Sequence, residues 1–152
     1  MSAKSPTVPV ARLYEEDFLA WTQETVRLLR ARRFDRVDLE ALIEEVDSMG
    51  ISQRRELENR LVVILKHLLK WKHQPGKRSN SWRSPLVTQR LRVHRLLRDS
   101  PSLRPGVPAS IGLAYGDAVK EAGVETGFPN DTFPEECPFT SEQILDPYYL
   151  PD

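Results

Sequence analysis

No aspartate or glutamate occurs between Glu58 and Asp99. That gap holds all 3 histidines, two of the 3 tryptophans and half of the 22 lysines and arginines, although the chain as a whole has no formal net charge. Charge is therefore segregated along the sequence, and the gap is the first place to look for contact with an anion. Cysteine is nearly missing too. Cys137 stands alone, which excludes an internal disulfide and a thiolate metal site and fits a reducing cytoplasm. It has no neighbouring base, and the acidic residues beside it raise a thiol pKa, the opposite of what a nucleophile needs. Long apolar runs are lacking. Leu61 to Leu65 gives way to Lys66 and His67, far below the roughly 20 residues of a bilayer crossing, so no membrane contact is expected. The start Met-Ser-Ala-Lys-Ser-Pro has no apolar segment of the signal-peptide kind, and a cytoplasmic location is expected. Alternating strand patterns and internal repeats are absent as well.

What is present is helical periodicity. A chain of 152 residues is long enough for one self-sufficient core, and the expectation is a tail over residues 1–12 followed by a single domain over 13–152. From Asp17 the residues Phe18, Trp21, Thr25, Leu28 and Leu29 recur at the spacing of one helix face, with Arg30 to Arg33 at the end where the dipole is negative. Asp38 is a good N-cap for a second pattern that sets Leu39, Leu42, Ile43, Val46 and Met49 on one face. Gly50 interrupts that pattern without changing its register, since Gln53, Leu57, Leu61, Ile64, Leu68 and Trp71 continue the stripe. One long helix kinked at Gly50, or two nearly collinear ones, must end before Pro75. Gln74 to Asn80 reads as a loop. Ser81 then caps a helix with Pro85 in its first turn and with Trp82, Leu86, Gln89, Val93, Leu96 and Leu97 inward, ending at Ser100-Pro101. Pro105 to Gly123 has Ile111, Tyr115, Val119 and Ala122 at helical spacing, against the resistance of Pro108, Gly112 and Gly116. Pro129 to Pro138 should be irregular and packed by Phe128, Phe133 and Phe139. Thr140 with Gln143 forms a capping box for a last turn or two. The expected fold is all-α: a single-domain bundle of four to five helices with an irregular Pro-rich C-terminal segment.

Several groups of residues carry a family resemblance. They are Tyr14 with Asp17-Phe18 and Trp21, Leu39-Glu40 with Glu44-Glu45, Met49-Gly50, His67 to Trp71, Gln74-Pro75, Ser81-Trp82, Ser100 to Leu103, and Phe133 to Pro138. In this order, from about Tyr14 to Pro151, the chain resembles the bacterial domain of unknown function 29 family. The resemblance implies an all-helical, stand-alone bacterial domain. It implies no reaction, ligand or catalytic residue. Pro85, Pro108 and Gly112 depart from the usual pattern, where better helix formers are expected.

No constellation has the spacing of a known catalytic or metal centre. His67 and His73 stand six apart, whereas two helical histidines on one ion need a separation of three or four, so no metal and no other cofactor is expected. His67 is read as a packed histidine with one hydrogen bond. Glu40, Glu44 and Glu45 lack the Glu-x-x-His partners of a di-iron bundle and are read as solvated or salt-bridged carboxylates. Gln53 and Gln89 sit centrally on apolar faces and should bond to backbone, to Arg90 or to one another. Glu45, Gln53, Arg60, His67, Gln89 and Arg90 are thus a candidate polar cluster. In the acid-free interval, Lys70, Lys72, Lys77, Arg78 and Arg83 surround one loop together with Trp71 and Trp82, and form a candidate anion-binding corner. Against an external anion, Arg83, Arg92, Arg95 and Arg98 spread around their helix, and the acidic flanks Asp35 to Glu58 and Asp117 to Asp152 can neutralise the interval internally.

The expected function is that of a non-catalytic helical interaction module, its partner another protein or a second copy of itself. The alternative is a nucleic-acid or polyanion binder acting through the corner from Lys70 to Arg83. A third reading is an enzyme using Glu45 with His67, which lacks an accompanying nucleophile, phosphate loop or metal set.

Overall fold

A computed structural model describes the chain from Val10 to Asp152, and the larger part of the expected N-terminal tail, residues 1–9, lies outside the described residues. The described residues are all-helical and contain no strand: six α-helices, four of them long, joined by short 3-10 turns. They divide into two compact units, one ending at Ser52 and the other comprising Gln53–Asp152.

In the first unit, α1 (Val10–Glu16) is followed by α2 (Phe18–Arg30), a 3-10 turn at Phe34–Arg36, and the opening turns of α3 (Leu39–His73). Asp17 caps α2 by accepting the Ala20 N–H at 3.0 Å. Asp38 does the same for α3 through the Ala41 N–H at 3.2 Å. The end of α2 has no glycine. Arg32 takes the left-handed conformation at φ 57°, and the Arg33 and Arg32 N–H groups close back on the Leu28 and Leu29 carbonyls, a Schellman ending that normally uses glycine. Leu13, Trp21 and Ala41 are the buried centre, with Tyr14, Ala20 and Leu42 packed around them. The Tyr14 ring lies 4.7 Å from Trp21 and 6.1 Å from Phe18.

The second unit is built on the rest of α3, which runs unbroken through Gly50 for 35 residues in all. Of the two expected arrangements, the helix is the single long one, since its hydrogen-bonded turns continue on both sides of Gly50. Leu57, Leu61, Ile64, Leu65, Leu68 and Leu69 are fully buried and meet Leu86, Val93 and Leu97 of α4 (Asn80–Asp99) and Ile111, Ala114, Tyr115, Ala118 and Ala122 of α5 (Val107–Thr126). Helix α4 begins at Asn80 with Ser79 at its cap, so Ser81 is not the cap and Pro85 falls in the second turn, beyond the expected first. The Ser81 carbonyl, which loses its intrahelical donor to the proline, belongs to an exposed residue and is free to meet water. Helix α5 forms despite its glycines because Pro108 sits in the first turn, where no N–H partner is needed, and three alanines face the core. It ends at Gly127, φ 77°, whose N–H bonds the Gly123 carbonyl. Gly123 is closely approached: a Cβ there would lie 2.5 Å from Asn130 Oδ1 and 3.3 Å from the Phe128 carbonyl oxygen, so the Asn130 side chain would have to move. After a 3-10 turn at Asn130–Thr132, α6 (Ser141–Leu145) starts on the Thr140–Gln143 capping box, with both reciprocal bonds formed.

Candidate functional site

Arg90 is the most deeply buried of the sequence-selected residues. It lies on the inner face of α4, and its side chain is buried among apolar neighbours. Its guanidinium donates from Nε to the Ile144 carbonyl (2.9 Å), from Nη1 to Tyr149 (2.9 Å) and from Nη2 to Gln143 (3.1 Å). Burial lowers its pKa, opposed by Asp146 and Tyr149, but a guanidinium remains charged in any protein. One turn on, His94 Nε2 bonds the Leu145 carbonyl. The two side chains replace the intrahelical donors that the short α6 cannot supply and fasten the C-terminal segment to α4.

The remaining polar candidates have separate partners. Arg60 donates to Glu56 from Nε at 3.0 Å and from Nη2 at 2.8 Å, and to Gln89 Oε1 at 3.0 Å. Gln53 is exposed on α3 and accepts from the Ser100 hydroxyl at 3.4 Å, so neither glutamine bonds Arg90 or the other. Gln53 and Arg60 do share an open hollow of about 450 Å³ with Glu56, Arg92, Arg95 and Asp99. His67 is buried, and its Nδ1–H donates to the Val63 carbonyl at 2.8 Å. Burial pushes its pKa below the ordinary histidine value, opposed by that bond. Glu45, in the first unit, accepts the Tyr14 hydroxyl at 2.8 Å, and that bond pushes the phenol up to about 12. Cys137 sits beside the Phe139 carbonyl, and burial raises its thiol pKa. Among the described residues, no three His, Cys, Asp or Glu side chains gather as a metal site requires, and no helix is long and apolar enough to cross a membrane.

The basic corner is partly engaged. Lys70 bonds Glu125 at 3.1 Å and lies 4.7 Å from the Trp82 ring centre, and Lys66 reaches the same carboxylate at 3.4 Å. Burial tends to raise the Glu125 pKa, but the two ammonium groups outweigh it and hold the carboxyl below its ordinary value. Arg78 donates to the Trp71 carbonyl at 2.8 Å and covers that indole at 5.3 Å. Lys72 sits 5.9 Å from the Phe139 ring. Lys77 and Arg83 are exposed. Trp71 and Trp82 are each half-buried at this corner.

The first unit carries an apolar surface instead. Leu39, Ile43, Val46 and Met49 of α3 are 61%, 59%, 57% and 61% exposed, and Leu19, Val26 and Leu29 of α2 are also open to solvent. At about 100° per residue, Leu19, Val26 and Leu29 lie roughly 110° round from the buried Trp21, Thr25 and Leu28. The α3 stripe lies roughly 100° round, in the same sense, from the inward Ala41, Leu42 and Glu45. The two helices run antiparallel, because Arg36 lies in the field of Glu24, Ala41 meets Trp21, and Glu45 meets Tyr14. Equal rotations on antiparallel helices point to one side of the pair, so the two stripes form one platform. Leu13 of α1 packs with Ala20 and Ala41, on the opposite side.

The family model described as domain of unknown function DUF29 matches residues 13–150. The chain belongs to the DUF29 family. The match spans both compact units of this DUF29 chain, and the family description assigns no activity. No curated protein and no solved structure matches it. In this DUF29 domain, sequence reasoning missed three features: the anchoring role of Glu125, the arginine-lined hollow at Arg92 and Arg95, and the bare platform. Glu125 lies in the acidic C-terminal flank, but only the fold sets it against Lys66 and Lys70. The platform had a signal in the apolar residues of α2, which occupy nearly twice the arc that one helix contact covers.

Proposed function

We propose that this protein is a non-catalytic interaction module whose contact surface is the α2–α3 platform, working in a reducing, cytoplasmic setting. The observation that carries this reading is the exposure, by more than half, of Leu39, Ile43, Val46 and Met49 in one stripe. Monomeric proteins rarely leave contiguous apolar patches of this size uncovered, and such patches mark contact sites. The polar groups support the same reading, since Arg90, His94, His67 and Glu45 are already occupied by carbonyls or by a phenol. The lone Cys137 supports the setting.

A second reading, polyanion binding at the basic corner, is favoured by Lys77 and Arg83, which pair with no carboxylate within Gln53–Asp152 and flank the half-buried Trp82. The experiment that separates the two compares native complex size in cell extract for the wild-type chain, Ile43→Glu with Val46→Glu, and Lys77→Glu with Arg83→Glu. Collapse to the free chain only with the first pair supports the platform. Collapse only with the second pair, reproduced by nuclease treatment, makes polyanion binding the better account.

A further inference from the structure

We infer that the occupant of the platform is a second copy of this chain, packed so that two α2–α3 hairpins form a four-helix bundle. The inference rests on reading the platform as the contact surface and names what covers it. Three observations favour self-association over a foreign partner.

The platform is two antiparallel helices wide, and two such layers placed face to face reproduce the up-down packing of a four-helix bundle. Its size also fits. Side chains exposed by a third to two thirds supply on the order of 500 Å² of apolar surface per copy, and their polar borders extend the contact toward the ~800 Å² per partner of a standard interface.

The borders are of opposite sign. Beyond the α2 stripe lie Gln23 and Arg30, and beyond the α3 stripe lie Glu40 and Asp47, all exposed. A two-fold axis along the helices sets α2 of one copy on α3 of the other, so each basic border faces an acidic one. The perpendicular two-fold sets α2 on α2 and opposes like charges. The surface is therefore self-complementary in one orientation, as an isologous dimer requires.

Sedimentation velocity of the purified chain tests the inference. The expected species has twice the 17.5 kDa chain mass. Ile43→Glu with Val46→Glu should weaken the dimer at least 100-fold, leaving a single-chain species with unchanged far-ultraviolet circular dichroism. Those side chains are solvent-exposed, so the variant is expected to fold. A milder Ile43→Ser variant should weaken it less while also keeping its helicity. A wild-type chain that stays single at several hundred micromolar overturns the inference, as does a dimer that survives the double substitution. A single-chain protein whose platform is buried by a different protein in extract overturns the second copy alone and leaves the contact surface in place. A single-chain protein whose platform is protected by its own remaining residues overturns both.

Discussion

Replacing Arg90 by methionine keeps the apolar stem and removes the donors that hold the C-terminal segment. Three carbonyls lose a charged partner: Ile144 in the buried interior, and Gln143 and Tyr149 at partly buried positions. An unsatisfied buried acceptor costs about 1–3 kcal/mol, and the two partly buried carbonyls recover part of their loss by meeting water. Relief of the desolvated guanidinium offsets some of this. The net loss should be about 3 kcal/mol, a large share of the roughly 5–15 kcal/mol that holds a domain folded. It should appear first as local opening, because α6 has only five residues and one buried side chain, Ile144, in its own span. Hydrogen exchange at the amides from Ile144 to Leu150 should accelerate on the order of 100-fold, since every 1.4 kcal/mol is a factor of ten. The urea midpoint should fall as well. Arg90→Lys keeps the charge but not the fork, and should recover less than half of the loss. A methionine variant within 0.5 kcal/mol of wild type, with unchanged exchange at these amides, would refute the claim that the guanidinium fastens the segment.

His67 has a depressed pKa in the fold, so the native state binds fewer protons than the unfolded chain below the ordinary histidine pKa of 6.5. Its contribution is whole above that value and is lost as pH falls toward the folded pKa; urea titrations between pH 7 and 5 should show stability falling, with a shallower slope in His67→Gln. Gly127→Ala forces a side chain into φ 77° and should lower stability by about 1–2 kcal/mol, measured by thermal melting, whereas Gly116→Ala, with open space around its Cβ and no positive φ, should be neutral or stabilising. Lys77→Glu with Arg83→Glu, both at exposed positions, should change stability little, and the wild-type chain should show no micromolar binding to single-stranded RNA or DNA in a low-salt titration. Tight binding whose salt slope falls with that change would transfer the function to the basic corner. In Glu45→Gln the Tyr14 phenol, no longer bonded to a carboxylate, should titrate below its value of about 12, read by ultraviolet absorbance.

The helices were legible wherever burial is repetitive. Leu57 to Trp71 on α3 and Leu86 to Leu97 on α4 keep the core period, and the Thr140–Gln143 capping box is a local device that sequence spacing specifies completely. Sequence underrated α5, because the cost of glycine and proline is local while the gain from packing Ala114, Ala118 and Ala122 against α3 is tertiary. The Ser81 cap and the position of Pro85 shifted by two residues because propensity does not fix helix starts. The site was less legible. Periodicity groups Gln53 with Leu57 on one face, but whether that face is covered depends on elements far away in the sequence, and the stripe is covered only from Leu57 onward. Arg90 was selected as a partner for the glutamines, but its carbonyl partners lie more than fifty residues later in a segment with no periodic signal.

The central claim is that the α2–α3 platform is where this molecule is bound. A photo-cross-linking residue at position 43, on the platform, and another at position 78, at the basic corner, test it in intact cells. The account predicts strong adducts from position 43, including one of two chains, and little from position 78. Adducts from position 78 that contain nucleic acid or another polyanion, with position 43 unreacted, would contradict it.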